Sequence, residues 1–237
     1  MEIVLKALLA THVVAGFSSL VLFWIPALAR KGGRLHNTVG RWYVRCMWVV
    51  LITAILLSIK NLYVGQLTTA AFLGFLAVLT AKPLWFGVAI LRHKRDFPTS
   101  ARRRLLQLNG LLVATGLLLL AYGLWVGLGA GGVLFVIFGA LGLSNIVPLR
   151  QLWHQTFWVR PWIIEHLSGM IVSGIAAHTA FFAFGGQQLF ADWLSGYWMV
   201  IPWVAPTIIG TSIIKIMERK YLRTSSTTVD VEEADFS

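Results

Sequence analysis

The stretch EHLSGMIVSGIAAHTAFFAFGG, residues Glu165–Gly186, decides the class of fold. After Glu165 and His166 it carries no formal charge. It also has the length that a helix needs to cross the hydrocarbon core of a bilayer, about 20 apolar residues. A second histidine, His178, lies well inside the apolar run. The stretch therefore predicts a membrane-spanning helix that carries two imidazoles.

The rest of the chain has the same apolar character. Of its 237 residues, 57% are hydrophobic and 12% are charged, whereas a soluble domain is about 45–50% apolar and about 25% charged. The sequence predicts an all-α integral membrane domain of seven transmembrane helices over residues 3–220, followed by a disordered tail over residues 221–237. The predicted spans are Ala7–Ala29, Tyr43–Ile59, Leu67–Leu91, Leu105–Leu128, Gly129–Leu149, Trp162–Phe184 and Trp193–Ile214.

The positions of the basic residues predict how these spans are oriented. Most of the 20 Lys and Arg residues lie after spans one, three, five and seven. Basic loops stay on the cytoplasmic side. We therefore expect the protein in the inner membrane of a bacterium, with its N-terminus outside and its C-terminus in the cytoplasm. The net charge of +11 is then a topology signal and not a nucleic-acid footprint, and the lipid bilayer is the expected partner.

Histidines inside the spans are the first candidates for chemistry, because ionisable groups in a bilayer are rare and costly. Counted from the span ends, His12 and His178 lie at similar depths in the outer half, about 8 and 9 Å from the outer face. His166 lies near the inner face, where His36 on a basic loop is able to approach it. One imidazole pair in each leaflet is the arrangement of a two-haem electron carrier, so haem b is the leading cofactor.

The spacing of two of these histidines speaks against that arrangement. His166 and His178 are twelve residues apart, which leaves them about 120° apart around one helix. The alternative interpretation is that His12 and His178 only make hydrogen bonds between helices. We expect the two rings to face each other across the bundle interior and to share a partner, whichever interpretation holds.

Lys82 is the second candidate, because it interrupts span three. It lies about 15 Å from the inner end of its span, and Pro83 behind it should kink the helix. One interpretation is a cation that faces an anionic ligand or a proton path. The other is a lysine that pairs with an amide such as Asn109 or Asn145.

The stretch ARKGGRLHNTVGRWYV, Ala29–Val44, predicts a tight basic turn between spans one and two. An unpaired carboxylate at the inner interface would seek a cation. We therefore expect His36 and Arg41 to fold back near Glu165 and His166, with His36 within about 15 Å of His166.

The chain resembles an uncharacterised bacterial family of predicted multi-spanning membrane proteins. The resemblance rests on His12 in span one, on a K-G-G-x-x-H-x-x-x-G-R loop that begins at Lys31, and on a C-terminal part with a W-x-x-P-T-x-x-G motif that begins at Trp203. His178 is not part of the family pattern. The resemblance implies an integral membrane protein and no established activity.

Three hypotheses for function follow from these residues. The first is a haem- or metal-binding redox protein that exchanges electrons with a quinone or a soluble donor. The second is a small-molecule or ion transporter that uses Lys82 and the intramembrane histidines, and the third is a structural membrane subunit. The sequence holds no nucleotide-binding loop, no set of cysteines for an iron–sulfur cluster and no nucleophile motif.

Overall fold

The computed structural model describes residues 2–95, 97–127, 132–156, 159–186 and 201–234, and the residues described are helical apart from short turns. A π-helical turn, Phe181–Gly185, continues the helix that ends at Ala180. The described part of the chain contains no strand. The helices are α1 Glu2–Leu28, α2 Arg34–Tyr63, α3 Leu67–Ala89, α4 Thr99–Val126, α5 Val133–Leu143, α6 Ile146–Trp153, α7 Trp162–Ala180 and α8 Ile201–Ala234.

Five of the described helical segments are long and apolar enough to cross a membrane. They are α1, α2, α3, α4 and the combined segment of α5 and α6, Val133–Trp153. Large apolar side chains such as Leu117, Leu118 and Ile137 lie exposed on them, as a surface in contact with lipid requires. The all-α expectation is thus confirmed for the described residues, and the five apolar helical segments fit a membrane protein. Helix α7 packs against α1 and α3, and α8 packs against α7.

Helix α2 begins nine residues before the predicted span, at Arg34 instead of Tyr43. The predicted bounds make this span the shortest of the seven, whereas α2 has 30 residues. Gly32 has a φ of 76°, and the side-chain amide of Asn37 donates to its carbonyl at 3.0 Å. The helix therefore begins directly after this turn. The prediction placed its start too late because an apolar run marks where a helix enters the lipid layer and not where its backbone begins.

The predicted fifth span is broken into α5 and α6 at Ser144–Asn145. The side-chain amide of Asn145 donates to the carbonyls of Leu141 and Gly142, at 3.1 and 3.0 Å. Pro148 has no backbone N–H, which costs nothing in the first turn of a helix but breaks a hydrogen bond in its interior. A new helix therefore starts just before it, and the break places Asn145 inside the bundle, where it is 7% exposed.

The C-terminal helix continues where a disordered tail was expected. α8 runs to Ala234, so the tail predicted from residue 221 lies on this helix for most of its length. No glycine or proline follows Gly210 before its end, and each added residue gains a hydrogen bond without a new nucleation cost. The predicted start of span seven, Trp193, lies outside the described residues.

Helix α3 is central, because α2, α4 and α7 all pack against it. It crosses α7 at Gly87 and Gly169, where the two backbones come close together. A Cβ atom on Gly169 would lie 2.7 Å from the carbonyl oxygen of Pro83 and 2.8 Å from the Cα of Gly87. The two backbones therefore touch, as small residues allow in membrane bundles.

Candidate functional site

Two imidazoles, His36 and His166, meet at the end of the bundle that carries the turn between α1 and α2. Their ring centroids are 6.3 Å apart and the rings are inclined by 72°. Both rings are half-buried. The expectation that His36 lies within about 15 Å of His166 is confirmed.

The α3–α7 crossing positions His166. The Nδ1–H of His166 donates to the carbonyl oxygen of Gly87 at 2.8 Å. This carbonyl lies in the last turn of α3, where main-chain acceptors lack helical partners. The N–H of Leu91, which would have reached Gly87 in a longer helix, donates to Val88 instead. His166 therefore caps the C-terminus of α3.

His36 does the same for α1. Its Nδ1–H donates to the carbonyl oxygen of Pro26 at 2.9 Å, again in the last turn of a helix. The ammonium group of Lys31 donates to the carbonyls of Pro26 and Ala27. The pair therefore lies where the negative ends of two helix dipoles converge, which favours a cation nearby.

This geometry leaves the same atom free on each ring. Because Nδ1 of each imidazole carries the donated proton, Nε2 of a neutral ring is an acceptor with a lone pair. Metal-bound histidines characteristically donate their other ring N–H to a carbonyl in this way. The described residues provide no hydrogen-bond partner for Nε2 of either His36 or His166, so both are available to a metal ion.

His12 and His178 do not form the predicted pair, and this prediction is wrong. Nδ1 of His12 bonds Thr53 Oγ1 on α2 at 2.8 Å. His178 uses both nitrogens, since Nδ1–H donates to the Gly174 carbonyl at 2.8 Å and Nε2 accepts from Trp24 Nε1 at 3.1 Å. Trp24 and His12 are both on α1, twelve residues or about 18 Å apart. His178 is therefore at a different depth from His12.

Depth was misjudged because α1 extends beyond the described end of α7. The rings of Phe17 and Phe181 are 5.1 Å apart, so the end of α7 is level with the middle of α1. The interhelical hydrogen bonds that were the alternative interpretation are present for both His12 and His178. His178 is thereby closed to a metal ion.

Glu165 pairs with Arg160 and not with the predicted basic turn. Nε and Nη2 of Arg160 each lie 3.1 Å from an oxygen of Glu165, and the main-chain N–H of Arg160 donates to the same carboxylate at 3.2 Å. Glu218 on α8 accepts from Nη1. The side-chain hydrogen bonding that Arg160 donates to Glu165 is the main reason why the pKa of Arg160 is raised. Arg41 is exposed on α2, and no bond joins it to Glu165 in the described residues.

Lys82 has the amide partners that one interpretation predicted. Its ammonium group donates to Oδ1 of Asn109 at 2.7 Å and to Oδ1 of Asn145 at 2.5 Å. It also lines a cavity of about 470 Å³. The lining residues are Lys82, Phe86, Leu105, Asn109, Pro148, Gln151, Thr156, Arg160 and Glu165.

No protein-family model matches the chain, and neither a curated protein nor a solved structure matches it. The resemblance carried by the glycine-rich loop thus stays a prediction, and function is inferred from the two sites. Sequence reasoning missed Arg160, which it had counted only as a topology signal. Its place five residues before Glu165, at the start of a helix, was the available clue.

Proposed function

We propose that the protein is a membrane redox protein that holds one haem b between His36 and His166. The observation that carries the proposal is the 6.3 Å between the two ring centroids. A metal–imidazole bond is about 2 Å long and a ring nitrogen lies about 1 Å from its ring centre, so two imidazoles on opposite sides of one metal ion have centroids about 6 Å apart.

The number of ligands favours haem over a protein-only metal site. Among the described residues, no three His, Cys, Asp or Glu side chains converge to hold a metal ion. Zinc sites take three or four ligands from the protein. A porphyrin supplies four nitrogens itself and asks only for axial ligands, which histidine commonly provides.

The surrounding residues fit the other needs of haem. The two Nδ1 hydrogen bonds hold each imidazole in one tautomer and raise its basicity as a ligand. The neighbouring turn carries Arg30, Lys31 and Arg34, whose charges suit the two propionates of haem b. Haem iron bound in this way supplies one-electron oxidation and reduction.

We place this centre on the cytoplasmic side of a bacterial inner membrane. The proposal retains seven spans, with the N-terminus outside and the C-terminus in the cytoplasm, because that orientation puts the basic loops inside. Since His12 and His178 each have separate partners, we propose one centre and not a two-haem relay. Its electrons would be exchanged on the inner side, with a quinone or a soluble donor.

Absorption spectroscopy tests the proposal. The protein is purified in maltoside from cells supplied with a haem precursor, and dithionite-reduced and air-oxidised spectra are recorded. We expect the Soret and α bands of low-spin haem with two imidazole ligands. His36→Ala and His166→Ala should each lose the low-spin spectrum, and imidazole added to His166→Gly should restore it.

The matched controls are the two other intramembrane histidines. His12→Ala and His178→Ala should keep the full spectrum, because neither ring reaches the proposed centre. Wild-type protein without haem bands, or an equal loss in all four alanine variants, would overturn the proposal.

A further inference from the structure

We propose that the cavity beside Lys82 is a binding site for a small organic carboxylate. The proposal goes beyond the redox centre and does not depend on it, since none of the residues that line the cavity is a proposed haem ligand. It rests on one half-buried cation, on the way the protein holds that cation, and on the walls around it.

The first observation is how the two amides are oriented. The Nδ2 group of Asn109 donates to the carbonyl of Leu105 at 2.7 Å, and that of Asn145 donates to the carbonyls of Leu141 and Gly142. Each amide nitrogen is thus used by its own helix. Both Oδ1 atoms therefore point at Lys82, and the ammonium group is fixed in position.

The second observation is that this cation lacks an anion. An ammonium group has three protons to donate, and the two asparagines accept two of them. Within the described residues no carboxylate forms an ion pair with Lys82. A buried charge without a counter-charge is costly in a medium of low dielectric, so an anion that enters the cavity gains a strong partner.

The third observation is that the other cation in the wall is already neutralised. Arg160 is held by Glu165 and by Glu218. Among the residues that line the cavity, Lys82 and Arg160 are positive and Glu165 is negative, so one positive charge on the wall is unmatched. A carboxylate with a single negative charge matches it, whereas a doubly charged phosphate would also be repelled by Glu165.

The remaining walls describe the rest of the ligand. Phe86, Leu105 and Pro148 provide apolar surface, while Gln151 and Thr156 provide neutral hydrogen-bonding groups. A volume of about 470 Å³ is within the range of small-molecule sites, about 300–1,000 Å³. These features fit an acid that has an apolar body, which is either water-soluble or a fatty acid from the membrane.

Thermal unfolding with defined probes tests the site. Purified protein in neutral maltoside is heated with sodium benzoate, sodium laurate or uncharged benzamide, at constant ionic strength, and tryptophan fluorescence reports unfolding. We expect benzoate or laurate to raise the melting temperature with saturation, and benzamide to have no effect. The acid that binds tells a soluble ligand from a fatty acid.

Two variants remove the cation in different ways. Lys82→Gln removes the charge, and Asn109→Asp places a competing carboxylate beside Lys82; each should weaken binding at least tenfold. Asn109→Asp keeps the test decisive if Lys82→Gln does not fold. The matched control is Lys60→Gln, which removes a cation whose only described bond is to its neighbour Asn61 and should bind the acid like wild type.

Each outcome separates this site from the proposed haem centre. Binding of an acid that is lost in both cavity variants and kept in Lys60→Gln supports the site, whether or not haem bands are seen. Failure of both acids to shift the melting temperature, or an equal shift with benzamide or in Asn109→Asp, would overturn it.

Discussion

Arg160 is expected to be a main contributor to stability at the end of the bundle where α7 begins. Its guanidinium group makes a two-pronged ion pair with Glu165, with both N···O distances at 3.1 Å. The Glu165 side chain is only 9% exposed and that of Arg160 is 39% exposed. Removing the arginine therefore leaves a buried carboxylate without its cation.

The size of the effect follows from these exposures. Breaking a fully buried ion pair costs about 3–5 kcal/mol. Arg160 is more than one third exposed, so solvent screening reduces this figure, and the main-chain N–H of residue 160 still donates to the carboxylate. We expect Arg160→Ala to lower the free energy of unfolding by about 2 kcal/mol.

A reversible titration of maltoside micelles with SDS, followed by tryptophan fluorescence, measures this change. Adding Glu165→Gln to Arg160→Ala should recover about 1 kcal/mol, because the unpaired charge is then gone. Glu218→Gln is the comparison, since its side chain is 25% exposed and it keeps a neutral acceptor; its cost should be below about 1 kcal/mol. A loss in Arg160→Ala no larger than that of Glu218→Gln, or no recovery in the double variant, would refute the reasoning.

Three further predictions concern topology and packing. In a cysteine-free background, Ser100→Cys should be protected from an impermeant maleimide added to whole cells, while Gln66→Cys should react; labelling at Ser100 would contradict the orientation. Gly169→Val should lower the melting temperature and the haem absorbance together, because overpacking costs about 1–3 kcal/mol at a crossing where the backbones touch. Gly16→Ala is the control and should leave both unchanged, since no atom lies near its added Cβ. Tyr43→Phe loses a 2.8 Å hydrogen bond to a buried serine hydroxyl and should cost about 1 kcal/mol in SDS titration, so a cost near zero would show that this bond is replaced.

The sequence predicted well those features that depend on the transfer of side chains from water to lipid, such as the existence of the long apolar helices. Apolar length identified the helices from α1 to α4, and it placed Lys82 inside a span next to the amides that bind it. It predicted poorly where helices begin. The basic residues at the start of α2 belong to the same helix as the apolar residues that follow them. Hydropathy does not record this, because it detects only the apolar part of the helix.

The approach of His36 to His166 was predicted because the sequence placed both residues near the same end of the predicted spans, where the turn between α1 and α2 is short. The pairing of His12 with His178 failed because depth along a helix depends on how its neighbours are offset. That offset is decided by contacts such as Phe17 with Phe181 and Phe23 with Gly174. No single run of sequence contains this information.

The contact between Gly87 and Gly169 has a consequence for how the two proposed sites communicate. Residues 86 and 165 line the cavity, while their neighbours Gly87 and His166 form the hydrogen bond that holds one imidazole. Because the two backbones touch there, we expect a small tilt of α7 at the cavity to rotate the imidazole as well. Any influence of a bound acid on the midpoint potential must be matched by an equal influence of oxidation state on the affinity for that acid.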